Sequence, residues 1–209
     1  TINVGAGGSG VGISNAQDGT VDLGMASKEI TGDDAEGITT IQIATDGIAL
    51  IVSKDCTVES VSKAEVYGLY VNSTAIQGVI TAAVSRDGSS GTREAFQDIM
   101  DIETIAQMPE LSSQDAVIEN VAAANNIIGY VSLEALSGNS SIKSVKFEGV
   151  EPTAENVASG EYTLSRPFNI MYNTENGMSD LTSDFVDFIF SDAAAAIIEG
   201  NGQVVVERK

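Results

Sequence analysis

One arginine and three hydroxyl side chains share the short segment Arg86–Thr92, where a predicted strand gives way to a helix. A guanidinium is a planar, permanently charged fork that fits the oxygens of an anion, and the first N–H groups of a helix have no partner within it. Ser90 at such a position also serves as an ordinary helix cap. Because the chain has only four arginines, Arg86 beside Ser90 and Thr92 favours an oxyanion site over a cap alone.

A second segment, Gly5–Gly12, holds five glycines in eight residues after the first predicted strand. A Walker phosphate loop is excluded because no lysine ends the segment. Three of the glycines have the spacing of a dinucleotide-binding fingerprint. That fingerprint needs a full-length helix after it, whereas the predicted helix here ends at Asp18, so a dinucleotide site is disfavoured. Two interpretations compete: a small-anion site made of backbone N–H groups and the Ser9 hydroxyl, and a tight turn that needs glycine at positive φ.

Hydroxyls and glycines follow three predicted strands: Ser9 after the first, Ser27 after the second and Ser90–Thr92 after a later one. In an open α/β sheet, ligands gather at the carboxyl ends of the strands. We therefore expect these groups to meet and to bind an oxyanion. The negative charge of the chain does not oppose this, because salt screens distant carboxylates within about 8–10 Å.

Composition excludes several other functions. The 209 residues include 30 acidic and 10 basic ones, for a net charge of −20, which disfavours nucleic acid or an anionic membrane surface as the main partner. The chain has no histidine, so a Ser-His-Asp or Cys-His nucleophile and a His-ligated zinc are excluded. Cys56 is the single cysteine, so no internal disulfide forms. We expect no enzymatic activity, no metal and no cofactor.

Short apolar strands alternate with short helices, which predicts an α/β fold with largely parallel sheets. The length suits one large domain or two small lobes, and no apolar run is long enough for a membrane-spanning helix. The sequence opens on Thr1 without a basic and apolar leader pattern, so we expect any secretion signal to have been removed or never present. The predicted strands are Thr1–Val4, Val21–Ala26, Ile41–Val52, Val79–Ser85, Ile127–Val131, Ser144–Phe147 and Phe168–Tyr172. The predicted helices are a short one ending at Asp18-Gly19, then Ser60–Tyr70, Arg93–Met100, Asp115–Ala124, Thr182–Phe190 and Ser191–Glu199.

Several segments, taken in order, make the chain resemble the phosphate-binding protein of ABC-type phosphate importers, a member of the type II periplasmic-binding-protein superfamily. The order and approximate spacing follow that family along nearly all of the chain, and several motifs in register are far more specific than one glycine turn. The segments are Gly7–Gly12, Gly19–Glu29, Asp46–Ala49, Ser85–Arg93, Ile128–Val131 and Ser165–Phe168.

The resemblance implies a two-lobed periplasmic-binding-protein-like fold with mainly parallel sheets, in which the chain crosses between the lobes twice. We expect the crossings near Ile48–Val52 and Tyr130–Leu133. One lobe then comprises residues 1–50 and 133–209, and the other comprises residues 51–132. Phosphate is expected in the cleft between them.

The family's ligand-binding positions carry over onto matching motifs of this chain. They are Ser9, Ser27, Arg86, Ser90, Gly91 and Thr92. Some relatives place an aspartate after the serine of the second strand to accept the proton of monohydrogen phosphate, but Lys28 stands there in this chain. Asp46 and Asp87 are the candidates for that acceptor. A carboxylate acceptor repels fully ionised sulfate, so it would supply selectivity.

Relatives normally begin with a further strand and helix, whereas this chain starts at what looks like the second strand. The resemblance implies an extracytoplasmic protein, periplasmic or lipid-anchored, that captures inorganic phosphate and delivers it to the membrane permease of an ABC importer. A monomer is expected unless a partner chain supplies the absent unit. Two alternatives stay open: a binding protein for sulfate, molybdate or tungstate, and a sensor or interaction module with weakened anion binding.

Overall fold

Strands and helices alternate along the chain in the computed structural model, which describes residues 1–208. The predicted α/β class is confirmed. The strands are β1 (Gly24–Ala26), β2 (Ile38–Ser53), β3 (Ser60–Val61), β4 (Ala82–Ala83), β5 (Ser85–Arg86), β6 (Glu110–Leu111), β7 (Ile127–Ser132), β8 (Ile142–Ser144), β9 (Lys146–Phe147), β10 (Ser165–Asn173) and β11 (Val204–Val205). The α-helices are α1 (Ser9–Gln17), α2 (Lys63–Asn72), α3 (Gly91–Met100), α4 (Gln114–Ala122), α5 (Ala154–Ser159), α6 (Asp180–Ile189) and α7 (Asp192–Gly200). None of these helices has the length and apolar character needed to cross a lipid bilayer.

The long strand β2 is the centre of the largest sheet. Its 16 residues are rich in β-branched side chains, which favour strands, and positions 46–53 are continuously buried, as in an inner strand covered on both faces. The strand runs through Asp46 and Gly47 without a break. A Cβ on Gly47 would lie 3.0 Å from Val157 Cγ2, so glycine lets α5 pack closely there.

The sheets are mixed, which corrects the prediction of mainly parallel pairing. Strand β2 pairs antiparallel with β7, β8, β10 and β11, and β1 pairs antiparallel with β10. Among the described residues, the parallel pairs are β3 with β9, β4 with β7 and β5 with β6. The alternation of strands and helices predicts parallel strands joined by crossover helices. Instead, β2 pairs with strands from distant parts of the chain, for which the alternation specifies no direction; Asp46, for example, pairs with Arg166.

Two apolar cores divide the molecule, and the chain changes core at two places. The smaller core is formed by Ile13, Ala16, Ala26 and Met171. The larger core contains buried residues from Ile48 to Leu164. Ile48 donates its N–H to Leu164 O at 2.8 Å, and the Tyr162 hydroxyl donates to Ile48 O at 2.8 Å. The chain therefore passes from one core to the other at Ile48 and again beside Leu164. The second crossing was expected near Tyr130–Leu133, but segment 142–164 packs against the second half of β2 and so stays in the larger core.

Several predicted strands differ from the structure: Val21–Ala26 is shortened to β1, and Ser144–Phe147 is divided between β8 and β9. Thr1–Val4 forms no strand and pairs with none of the described strands, and the Val4 side chain is 77% exposed. Alternating apolar residues form a strand only where a partner satisfies their backbone groups. The predicted strand Val79–Ser85 is divided into β4, which pairs with β7, and β5, which pairs with β6. This change of partner carries the chain from one sheet to the other directly before Arg86.

Helix α2 begins with a reciprocal cap that makes one stability contribution dependent on pH. Ser62 Oγ accepts a hydrogen bond from the Glu65 N–H at 3.3 Å, and Glu65 Oε2 accepts one from the Ser62 N–H at 2.9 Å. This bond from the Ser62 N–H lowers the pKa of the Glu65 carboxyl below its ordinary value of 4.5. The stabilisation is therefore present above the unfolded pKa and lost as pH falls through the folded pKa.

Replacing Glu65 with Ala is expected to lower the free energy of unfolding by about 1 kcal/mol at pH 7, because the Ser62 N–H loses its acceptor. The difference should shrink as pH falls below about 4.5, the ordinary value, toward the lower pKa at which the carboxylate of the folded parent protein becomes protonated. Urea unfolding at pH 7 and at pH 3 measures both values, with Glu119→Ala on the exposed face of α4 as control. An equal loss at both pH values would contradict a cap that depends on the ionised carboxylate.

Candidate functional site

The first residues of α1 and α3 approach each other closely across a cleft. A Cβ added to Gly91, the first residue of α3, would lie 2.3 Å from Ser27 Oγ and 2.4 Å from Ser9 Oγ. Ser9 begins α1, and Ser27 follows β1 directly. The Ser27 N–H donates to Ser9 Oγ at 3.1 Å. Glycine at position 91 therefore lets two hydroxyls and the start of a helix converge on one point.

Both helix starts present backbone donors to this point. Gly8 is the N-cap of α1 and makes no side-chain cap, so the Ser9 hydroxyl is not needed for capping. Ser90 caps α3, and its Oγ accepts from the Arg93 N–H at 3.3 Å. The first N–H groups of each helix have no acceptor within the helix, and the helix dipole places partial positive charge there. The arrangement suits an anion.

Close approach of another backbone, rather than positive φ, explains two glycines of segment Gly5–Gly12, namely Gly8 and Gly12. All glycines of this segment have φ outside the positive range, so the tight-turn interpretation is wrong here. A Cβ on Gly8 would lie 2.0 Å from Ser89 O, and a Cβ on Gly12 would lie 2.1 Å from Met25 O. A Cβ on Gly10 would meet open space. Gly8 brings the α1 start against the turn before α3, and Gly12 brings α1 against β1.

A cavity of about 690 Å³ lies between the two helix starts. Six of the predicted ligand-binding residues line it together: Ser9, Ser27, Arg86, Ser90, Gly91 and Thr92. The other lining residues, which the sequence did not single out as ligand contacts, are Gly7, Gly8, Val11, Met25, Ala26, Ile43, Ser89, Phe168 and Asn169. Within the described part of the chain, Arg86 is the only charged residue of this wall.

The backbone around Arg86 fixes its guanidinium at the edge of the cavity. Arg86 Nε donates to Leu111 O at 3.2 Å, and Nη2 donates to Ser112 O at 3.3 Å. The Arg86 N–H donates to the Tyr130 hydroxyl at 3.2 Å. Burial raises the pKa of Tyr130, so this hydroxyl stays neutral near pH 7. The two carbonyls leave further N–H groups of the guanidinium available to an anion.

Neither candidate proton acceptor lies in the cavity wall. Asp46 is fully buried behind it, where its carboxylate accepts from Arg166 and, at 2.8 Å, from the Ser132 hydroxyl. Asp87 is turned toward its own loop and accepts from the Ser89 hydroxyl at 2.6 Å and the Ser89 N–H at 3.0 Å. These two hydrogen bonds lower the pKa of the Asp87 carboxyl. Both carboxylates are therefore already bound to donors within the protein.

Lys28, which stands where some relatives carry an aspartate, forms an ion pair across the cleft. Its Nζ contacts Asp34 Oδ2 at 2.7 Å and also pairs with Glu94, in the first turn of α3. Burial opposes the charged form of Lys28, but the two carboxylates outweigh it and raise the pKa of the amine. Lys28 thus joins the β1 side of the cleft to α3 at a point outside the cavity wall.

Three residues of β10 contribute to the site in ways that local sequence signals did not reveal. Arg166 is buried, and its guanidinium lies 5.3 Å from the centroid of the Phe168 ring. Phe168 and Asn169 line the cavity, and Asn169 Nδ2 donates to Lys28 O at 2.8 Å, which holds the chain after Ser27. The sequence held one signal for their role, because polar side chains stand among the apolar residues of this partly buried strand.

Comparison with known proteins shows which family this chain resembles in sequence and fold. The family model described as "PBP superfamily domain" matches residues 1–193. The chain is 31% identical to the phosphate-binding protein PstS of Bacillus subtilis over 217 residues, which cover 98% of this chain and 71% of that protein. It is 34% identical to the phosphate-binding protein PstS 2 of Streptococcus agalactiae over 147 residues. The chain spans about half the length (49%) of that streptococcal relative.

Solved structures show the same arrangement of elements. A phosphate ABC transporter substrate-binding protein from Clostridium perfringens, solved with bound phosphate, has a TM-score of 0.84 and 32% identity, and the match covers 96% of this chain and 85% of that one. An ABC-type phosphate transport receptor from Vibrio cholerae has a TM-score of 0.83 and 29% identity, covering 95% and 85% of the two chains. The fold of these proteins agrees with the two-lobed architecture expected from the sequence.

Proposed function

Because the chain belongs to the phosphate-binding proteins of the periplasmic-binding-protein superfamily, we propose that it binds inorganic phosphate between α1 and α3 for an ABC importer. The observation that carries this proposal is the meeting of Ser9, Ser27 and Gly91 beside Arg86. Hydroxyls, helix-start N–H groups and one guanidinium are the donors that a tetrahedral oxyanion needs.

The proposed working step is closure of two lobes around the ligand, with no chemistry on the ligand itself. The lobe boundaries that we propose follow the packing: residues 1–47 with 165–208, and residues 48–164. Strand β2 and the start of β10 are then the two connections between the lobes. We propose that the protein acts as a monomer outside the cytoplasmic membrane and releases phosphate to a membrane permease.

A second candidate function keeps the site and changes the ion to another tetrahedral oxyanion such as sulfate. The wall of the cavity is formed by neutral residues and Arg86, while the carboxylates of Asp46 and Asp87 are engaged elsewhere. A neutral wall does not repel a fully ionised anion as a carboxylate acceptor does. Competition between the two anions therefore distinguishes the candidates.

Titration calorimetry with phosphate tests the proposal, on protein unfolded and refolded to remove carried-over ligand. We expect micromolar or tighter binding, and a loss of about 100-fold for Arg86→Met, because charge-assisted hydrogen bonds to a bound ion contribute about 1.5–3 kcal/mol. Arg208→Met is the matched control, since it removes the same charge from an exposed pair with Asp187. Its affinity should remain within about twofold of the parent.

The outcomes separate the candidate functions. Phosphate binding that excess sulfate does not displace supports phosphate as the ligand, whereas displacement by equimolar sulfate supports a general oxyanion site. A folded protein that binds neither anion would refute both and favour a sensor or interaction module. An equal loss for Arg86→Met and Arg208→Met would mean that net charge, and not the local guanidinium, governs binding.

A further inference from the structure

A buried ion pair between Arg166 and Asp46 lies directly behind the cavity. The two residues face each other in the β2–β10 ladder, and 5% of the Arg166 side chain and none of the Asp46 side chain is exposed. Arg166 Nε and Nη2 both donate to Asp46 Oδ2, at 3.1 and 3.0 Å. Two hydrogen bonds that converge on one carboxylate oxygen fix the guanidinium plane.

Further donors around Asp46 hold its carboxylate in place. Asp46 Oδ1 accepts from the Ser132 hydroxyl at 2.8 Å, and the nearby backbone N–H of Leu133 also favours the charged carboxylate. Burial raises the pKa of Asp46, and these donors together with Arg166 counteract that effect. A buried charge pair is retained at little loss only when its remaining hydrogen-bonding capacity is satisfied, which holds here.

One arm of the guanidinium points from this pair to the ligand site. Arg166 Nη1 donates to Ser27 Oγ at 3.3 Å, and Ser27 is one of the hydroxyls in the cavity wall. A hydroxyl has one proton to donate and two lone pairs to accept with. When a guanidinium occupies a lone pair, the Ser27 proton is directed away from Arg166, toward the Ser9 hydroxyl at 3.4 Å or an acceptor in the cavity.

We propose that Arg166 is a positioning residue, anchored by Asp46, that orients the Ser27 hydroxyl as a hydrogen-bond donor to the bound oxyanion. This inference rests on the proposed function and extends it to residues outside the cavity wall. It also concerns specificity: a Ser27 hydroxyl held as a donor favours an unprotonated ligand oxygen at this corner. Any proton of the ligand is then placed on an oxygen that faces another part of the wall.

A double-mutant cycle on phosphate affinity tests the positioning role. Arg166→Lys keeps the positive charge beside Asp46, but a single amine cannot hold the carboxylate and also reach Ser27 as a planar fork does. We expect about a tenfold loss of phosphate affinity for Arg166→Lys, and a similar or larger loss for Ser27→Ala. In the Ser27→Ala background, Arg166→Lys should cause no further loss, because the hydroxyl that it orients is gone.

The measurements are calorimetric affinities for phosphate and thermal unfolding of the ligand-free proteins. Additive losses in the cycle would overturn the inference, since a purely structural or electrostatic role of Arg166 does not need the Ser27 hydroxyl. If Arg166→Lys does not fold, Asp46→Asn replaces it in the same cycle, because the amide releases one arm of the anchor. A parent protein that binds no phosphate refutes the proposed function and this inference together, whereas binding with additive losses refutes this inference alone.

Discussion

Replacing Gly8 with Ala is expected to weaken phosphate binding about 100-fold and to leave the ligand-free protein folded. The added Cβ would lie 2.0 Å from Ser89 O, so the turn before α1 and the turn before α3 could not approach as they do in this structure. Both colliding groups belong to the backbone, and no side-chain rotation relieves the overlap. Overpacking of this kind costs about 1–3 kcal/mol, and this cost falls on the arrangement in which the two turns meet at the cavity.

The backbone at Gly8 makes this experiment specific. Gly8 has φ −83° and ψ 178°, a conformation that alanine adopts without strain. The substitution therefore acts through the contact with Ser89 and not through the local turn. Gly10→Ala is the matched control, because a Cβ on Gly10 meets open space within α1 and alanine stabilises a helix relative to glycine by up to about 1 kcal/mol.

Calorimetric titration with phosphate and a thermal scan of each ligand-free variant measure the two effects. Gly10→Ala should bind phosphate as the parent does and unfold at the same or a slightly higher temperature. Gly8→Ala should unfold near the parent temperature while binding far more weakly. Unchanged affinity of Gly8→Ala would show that the contact between the two turns is not needed for binding.

The residues that line the cavity could be predicted from local sequence because each contributing segment contains glycine, serine or arginine at the start of a helix or the end of a strand. Ser9 and Gly91 each begin a helix, Ser27 ends a strand, and Arg86 stands directly before the turn into α3. Among the described residues no strand precedes Ser9, and the strands beside Ser27 and Arg86 belong to different sheets, so the groups meet because the starts of α1 and α3 face each other. The exact order of the strands was therefore not needed to anticipate that these side chains share one cavity.

The ion pair of Arg166 with Asp46 could not be predicted in the same way. The two residues are 120 positions apart, and their contact depends on the antiparallel register of β2 with β10. Asp46 was expected at the ligand as a proton acceptor, but a carboxylate within a buried strand needs a charged partner, and the neighbouring strand supplies one. Pairing between distant strands is also why the predicted strand Thr1–Val4 failed, since apolar alternation does not specify a partner.

The close contact of α1 with β1 leads to the largest expected effect on stability. A Cβ on Gly12 would lie 2.1 Å from Met25 O, and a Cβ on Gly24 would lie 2.2 Å from Gly12 O. The two glycines therefore let a helix backbone rest directly on a strand backbone. Either substitution by Ala is expected to lower the free energy of unfolding by about 3 kcal/mol, at the upper end of the range for overpacked sites.

Urea unfolding followed by circular dichroism measures this loss, with Gly10→Ala again as the control within the same helix. Because the core around Ile13 and Ala16 is small, displacement of α1 leaves few other contacts to hold β1 beside it. The variants Gly12→Ala and Gly24→Ala should also bind phosphate more weakly, since Ser9 and Ser27 lie on the two displaced elements. Full stability with normal phosphate binding would contradict this prediction, since α1 would then shift away from β1 without moving the two hydroxyls. The hydrogen bond from the Ser27 N–H to Ser9 Oγ links the two elements and argues against such a shift.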